Sequence, residues 1–263
     1  MSFRYLFVTQ EDPFYVRLFF EEFFGTAKSL ADVAGVVIAP TLGRKSTARL
    51  ARRMYDFYGL LDFIRMSAKY AWYKLATKLP WTGGPGSFYS IEQVCRHFGV
   101  PVIHTTNLNG REFLDEARRI GPDLIVSVAA PQIFKTELVN LPTCGCINIH
   151  NSKLPKYRGM LPNFWQMYNG EKTLGTTVHR INDALDDGPI LAQHEVMAIA
   201  GESLDDVICR TKRQGARLMR GVIEQIRAGE VNEVPNSKAD ATYFTFPSKD
   251  IVRDFRKRGY RLL

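Results

Sequence analysis

Three short runs of apolar, mostly β-branched residues constrain this chain more than any other feature: Ala-Gly-Val-Val-Ile-Ala at 34–39, Asp-Leu-Ile-Val-Ser-Val-Ala at 123–129 and Cys-Ile-Asn-Ile-His at 146–150. Runs this short, bounded by turn residues and nearly free of polar alternation, suit strands covered on both faces, as in a parallel sheet. Residues 3–9 open the chain with another such strand. A turn at 10–13 then leads into a phenylalanine-rich helix at 15–24. A strand at 101–104, a helix at 110–120, a short helix at 162–168, strands at 176–182 and 190–199 and a long helix at 203–227 continue the alternation. Ser203, followed by Asp205 and Asp206, suits the start of that last helix. The expected fold is α/β, a Rossmann-like doubly wound and mostly parallel sheet. The opening strand-turn-helix lacks Gly-x-Gly-x-x-Gly, which argues against a dinucleotide cofactor.

A chain of 263 residues, 45% hydrophobic and 24% charged, is long enough to bury a full core, and one main domain over residues 1–230 with a C-terminal extension at 231–263 is expected. No window approaches 18 uncharged apolar residues, so no integral membrane segment is predicted. Met1-Ser2-Phe3-Arg4 runs straight into a strand without a secretory apolar core, which points to the cytoplasm. Cys95, Cys144, Cys146 and Cys209 have neither disulfide density nor metal spacing, so reduced thiols and no metal site are expected. The formal charge of +8 predicts attraction to anions: nucleic acid, phosphorylated sugars, polyglutamylated folate or acidic lipid.

Residues 44–90 are too long for an ordinary connection and mix many aromatic and aliphatic residues with Arg52, Arg53, Arg65, Lys69, Lys74 and Lys78. A helical insertion is expected there. Three uses compete for it: completion of the core or a homodimer contact, a lid over an acceptor, or a basic amphipathic helix on a membrane surface. Trp81 to Gly86 is read as the turn that ends it.

The chemistry concentrates between Cys146 and Gly188. Asn148 and His150 are two apart on a strand and share a face, and the Pro155 and Gly159 loop that follows ends the strand there. In open α/β sheets, ligands bind at that end. Asp186, in the turn Asp-Asp-Gly-Pro at 186–189, is the candidate partner. A carboxylate beside a histidine favours imidazolium, and an amide adds a neutral donor. Such a trio suits acyl transfer to an amine: Asn148 and His150 hold the developing oxyanion, and Asp186 takes the amine proton. A satisfied core histidine, a strand-end amide and a turn former are the plain alternative for the same three residues.

The combined pattern is Asn-x-His-x-Ser-x-Leu-Pro-x-Tyr-Arg-Gly at 148–159, then Pro162, Trp165, Asn169-Gly170, Gly175-x-Thr-x-His179 and Asp186-x-Gly-Pro-Ile190. It resembles the 10-formyltetrahydrofolate-dependent formyltransferase family, strongly over 123–193 and in outline before that. The resemblance implies a formyltransferase fold for the main domain, with catalytic Asn148, His150 and Asp186. It implies a donor wall from Ala130, Pro131, Gln132 and Ile133, faced by Asp183 and Asp187. It assigns Ser152, Lys153, Arg158 and Gly159 to the substrate, and His179 to a supporting position. Lys153 stands where the family has leucine, and Asn151 where it has a small residue or proline, departures that bear on the acceptor. The implied donor is 10-formyltetrahydrofolate, and no metal is required. The implied partner is a small-molecule amine acceptor, with a nucleotide-linked amino sugar preferred and methionyl-tRNA or a glycinamide-type ribonucleotide as runners-up. No residues are expected to remain for the separate C-terminal domain with which methionyl-tRNA formyltransferase holds tRNA. The rival class is a catalytically silent folate-binding or nucleic-acid-binding protein of the same fold.

Overall fold

The structure, a computed structural model, describes residues 3–40, 47–79, 88–182 and 184–263. Along the chain the elements are β1 (Tyr5–Gln10), α1 (Val16–Gly25), β2 (Val33–Ala39), α2 (Thr47–Ala76), α3 (Ile91–His97), β3 (Val102–His104), α4 (Arg111–Ile120), β4 (Leu124–Val128), α5 (Thr136–Val139), β5 (Cys146–His150), β6 (Arg158–Gly159), α6 (Pro162–Tyr168), β7 (Thr173–Arg180), β8 (Ile190–Met197), α7 (Leu204–Ala228), β9 (Tyr243–Phe244) and α8 (Lys249–Lys257).

Seven strands make one sheet in the order β3-β2-β1-β4-β5-β7-β8. The first five are mutually parallel, and β7 and β8 add on antiparallel. The expected doubly wound, mostly parallel sheet is therefore present. Its central strands are apolar on both sides because both sides are covered. On one face Phe7, Val36, Val126, Ile147 and Ile149 pack with α1, α3 and α7. On the other, Leu6, Val8, Val37, Ile125 and Cys146 meet α4 and α5. Phe7 is the hub of the first face, in edge-on ring contact with Phe19, Phe20, Phe23 and Phe24 of α1. The helix after β8 starts at the predicted cap: the Ser203 side chain accepts from Asp206 N, and Asp206 bonds back to Ser203 N, satisfying two donors at the helix start.

β7 begins three residues before the apolar pattern suggests, because pairing with β8 extends its ladder to Thr173↔Met197. It stops at Arg180, where the Gly188 backbone lies against the Arg180 carbonyl. A third apolar cluster joins Phe57 of α2, Tyr157, Phe164 and Trp165, Leu204 and Val207, and Val252 and Phe255 of α8. α2 is interrupted at Gly59, whose φ of 69° only glycine adopts easily, so its two halves take different directions. The chain after α7 does not trail away. It returns so that β9 pairs parallel with β6 and α8 packs on α6. The turn expected at 81–86 lies outside the described residues. Among the described residues, no helix is long and apolar enough to cross a membrane.

Removing the ring at the centre of the first face tests this account of the core. Phe7→Ala is expected to cost about 3–5 kcal/mol, read as a lowered urea midpoint with an unchanged slope.

Candidate active site

Strand alternation aims the site. In β5, Ile147 and Ile149 enter one core while Asn148 and His150 face the other side with Cys146. β7 runs antiparallel alongside, and Asn148 stands directly opposite His179, so the two share a face. His179 is almost fully buried. Its Nδ1–H donates to the Arg180 carbonyl at 2.7 Å, which fixes the tautomer. Burial pushes its pKa down, against the opposing pull of Asp186, and keeps the ring neutral. The free lone pair on Nε2 then accepts from Asn148 Nδ2 at 3.1 Å. One amide hydrogen of Asn148 is thereby used to orient it, and the second points to no partner among the described residues.

His150 is 7% exposed. Its Nε2–H donates to the Tyr157 carbonyl at 2.8 Å, so Nδ1 is the nitrogen left for chemistry. Asp186 Oδ2 lies 3.6 Å from that Nδ1, an ion-pair distance longer than a hydrogen bond. The other carboxylate oxygen is 3.7 Å from His179 Nε2. Asp186 is itself 8% exposed and adopts φ 51°, a left-handed conformation that its surroundings must hold. Two contacts do this. The Gly159 amide donates to Asp186 Oδ2 at 3.0 Å, and Asn236 Nδ2 donates to the carbonyls of Asp186 at 2.9 Å and Gly188 at 3.1 Å. Asn236 carries no sequence signature; only the return of the C-terminal segment reveals it.

The residues expected to bind substrate mostly have interior tasks. Arg158 donates to Asp187 Oδ1 at 2.5 Å and to Asn236 Oδ1 at 2.9 Å, and it is buried. Burial pushes the Asp187 carboxyl up, but Arg158 and then Lys238, 3.4 Å away, outweigh it and hold the group below the usual carboxylate range. Asp187 therefore anchors Arg158. Ser152 is fully buried and donates to the Lys156 carbonyl at 2.9 Å, which closes the loop after β5. Lys153 is half exposed and pairs with Glu195 at 2.5 Å. Gly159 has φ 96°, and a side chain there would stand 2.3 Å from the Phe244 carbonyl, so its role is to bring an amide to Asp186.

On the expected donor wall, Gln132 accepts from Leu108 N at 2.9 Å and donates to the Thr106 carbonyl at 3.0 Å, so its side chain fastens the neighbouring loop. Pro131 is buried, Ala130 half-buried and Ile133 63% exposed. Asp183 lies outside the described residues. All four cysteines are free thiols, and burial pushes Cys146 up to about 12, which leaves no thiolate beside the site.

A cavity of about 810 Å³ opens over the ends of β1, β2 and β3 rather than over the trio. Glu11, Asp12, Glu92, Glu112 and Glu116 line it with Lys74 and His104, beside Tyr73 and Tyr89. β4 alone separates β1 from β5 in the sheet, a distance of about 10 Å.

A doubly wound sheet with an amide, two imidazoles and a carboxylate gathered on one face describes a class of group-transfer enzymes, and sequence comparison narrows it. Residues 87–223, more than half of the chain and including all four of those groups, match the family described as Formyl transferase. The chain belongs to that family. It is 33% identical over 153 residues to a methionyl-tRNA formyltransferase of Kosmotoga olearia, covering 58% of this chain and 49% of that relative. The chain thus spans about half the length of the curated relatives it matches. Among solved structures, it resembles in fold a sugar 3N-formyl transferase, WlaRD, solved with dTDP and 5-N-formyl-THF, with TM-score 0.59 and 18% identity over 93% of this chain and 70% of that one. It also resembles phosphoribosylglycinamide formyltransferase of Anaplasma phagocytophilum, with TM-score 0.61 and 14% identity over 93% and 99% of the two chains.

Two outcomes test this geometry. Gly159→Ala combines a backbone clash with a strained φ and is expected to cost about 1–3 kcal/mol, with the thermal midpoint and the turnover of any activity falling together. The His179 pKa is lowered by folding, so the unfolded chain takes up the extra proton as pH drops below the ordinary imidazole value of 6.5. Stability is therefore full above that value and declines below it. The urea midpoint is expected to fall between about pH 7.5 and pH 5, and to fall less in His179→Gln.

Proposed function

We propose that the protein transfers a formyl group from 10-formyltetrahydrofolate to the primary amine of a small acceptor. The convergence of Asn148, His150, His179 and Asp186, drawn from two strands and a turn, carries this reading. The acceptor nitrogen attacks the formyl carbon and forms a tetrahedral intermediate, and the bond from that carbon to N10 then breaks. The second amide hydrogen of Asn148 and an N–H at His150 Nδ1 donate to the formyl oxygen while it is negative. Asp186 accepts the amine proton and hands it on, directly or through water, to N10 of the leaving tetrahydrofolate. The step balances without a metal or a redox partner. Half-buried Ala130 and exposed Ile133 on one loop, and 45% exposed Leu185 on another, offer apolar surface for a pterin.

The acceptor this reading favours is an amino sugar carried on a nucleotide; the fold neighbour WlaRD is named as a sugar 3N-formyl transferase and was solved with dTDP. A second reading, methionyl-tRNA as acceptor, has the curated sequence relatives on its side.

Tetrahydrofolate release, followed by absorbance over a panel of amines, tests the reading. Acceptor-dependent release is expected, with kcat falling by about 10²–10³ in Asn148→Ala and Asp186→Asn. Folate binding without turnover for any amine would leave a silent binding protein. Neither folate binding nor turnover, with tight RNA binding on a steep salt slope, would leave the nucleic-acid reading.

A further inference from the structure

The second half of α2 exposes an apolar stripe that none of the described residues covers. At about 100° per residue, Leu61, Ile64, Ala68, Trp72, Leu75 and Leu79 fall within an arc of about 80°, continuing through the turn after the helix. Leu61 is 71% exposed, and Ile64, Trp72, Leu75 and Leu79 are all more than half exposed. The opposite side of the same helix is the one that packs: Met66 is buried, and Tyr73 meets the rings of Phe14 and Tyr89. The core therefore does not use the stripe, and residues 60–79 lie outside the region that matches the formyl transferase family.

Charge identifies what fits it. Between Leu60 and Leu79 there are four basic residues, Arg65, Lys69, Lys74 and Lys78, and one acid, Asp62. Arg65, 71% exposed at the side chain, flanks the apolar arc on one side and Lys78 on the other, while Lys74 lies farther round the helix and pairs with Glu11 at 2.5 Å. Asp62 is already held by Arg65 and Arg256. A second copy of this chain docked stripe to stripe would bring the two basic sets together with no free acid between them. An anionic bilayer surface meets both demands: acyl chains for the apolar arc, and headgroup phosphates for long basic side chains reaching outward on each side. Trp72 sits mid-stripe, the residue type favoured at a membrane interface.

We infer that the second half of α2 is a membrane-surface helix that docks the protein on anionic lipid. The orientation has a consequence for the site. Tyr73, Lys74 and Thr77 line the 810 Å³ cavity from the same helix, so a docked bilayer lies about one helix diameter, ~10 Å, from it.

The test is co-sedimentation of the full-length protein with vesicles of phosphatidylcholine alone and of phosphatidylcholine with phosphatidylglycerol, with Trp72 fluorescence as a second readout. Binding is expected to the anionic vesicles only, weakened by salt, with a blue shift that disappears in Trp72→Phe. Leu61→Asp and Trp72→Glu are each expected to weaken binding by about tenfold or more, and Arg65→Gln and Lys78→Gln by about fivefold each. These last two keep the apolar stripe and guard against a folding defect in the first pair. The inference is overturned if the wild type does not bind anionic vesicles, if it binds neutral ones equally, or if the four substitutions leave binding unchanged. It is also overturned if sedimentation equilibrium finds a dimer that Leu61→Asp dissociates, because a second copy then covers the stripe.

Discussion

A carboxylate with little access to water has to be held by donors, and much of the site follows from how Asp186 meets that requirement. A buried acid without a partner costs several kcal/mol. Here the Gly159 amide reaches one oxygen, and two histidines stand near the two oxygens at 3.6 and 3.7 Å. The Gly159 contact requires the strand β6 to lie where it does, and β6 is held there by β9 from the far end of the chain. Asn236, two residues past the β-bridge at Val234, then fixes the carbonyls around the left-handed turn. The C-terminal segment thus acts on the site without contributing a reacting group.

The two histidines show how one residue type takes different parts through its neighbours. His179 gives its Nδ1 proton to a carbonyl and is too buried to gain another, so it serves as an acceptor that orients Asn148. His150 gives its Nε2 proton to a carbonyl but faces the Asp186 carboxylate with Nδ1. Both rings stand at nearly the same distance from the carboxylate, so it is the carbonyl each one bonds that leaves Nδ1 of His150 and Nε2 of His179 turned toward the site.

The fold was largely legible because its signal is local. Apolar runs such as Leu124–Val128, broken only by Ser127, read as doubly covered strands, and each of the five parallel strands falls on a segment read as a strand. The cap at Ser203 was readable from three residues. What escaped is set by distance in the chain. The pairing of β6 with β9 joins two-residue strands more than 80 positions apart and leaves no periodicity to read. α8 did carry a usable sign, Ser248 as cap with Val252 and Phe255 spaced for one face, but the basic residues around it masked the pattern. That Asn148, His150 and Asp186 gather in one place was legible from the combined motif. The tasks of Ser152, Arg158, Gly159 and Gln132 were not, because a motif records which residues recur together and not whether a side chain faces ligand or loop. Burial separates the two cases: the Ser152 hydroxyl and the Arg158 guanidinium are turned inward onto carbonyl, carboxylate and amide partners.

Net charge is the property that sequence reading overextends most easily. A sum of +8 invites a single basic face, yet many of the cations are committed: Arg210 to Glu202, Arg217 to Glu22, Arg227 to Asp32 and Arg118 to both Asp115 and Glu137. The carboxylates of the cavity over β1, β2 and β3 are committed in the same way, Glu11 to Lys74, Glu92 to His104 and Glu116 to Arg119. Paired charges largely cancel at a distance, so the sum of +8 does not translate into one field that an incoming ligand meets.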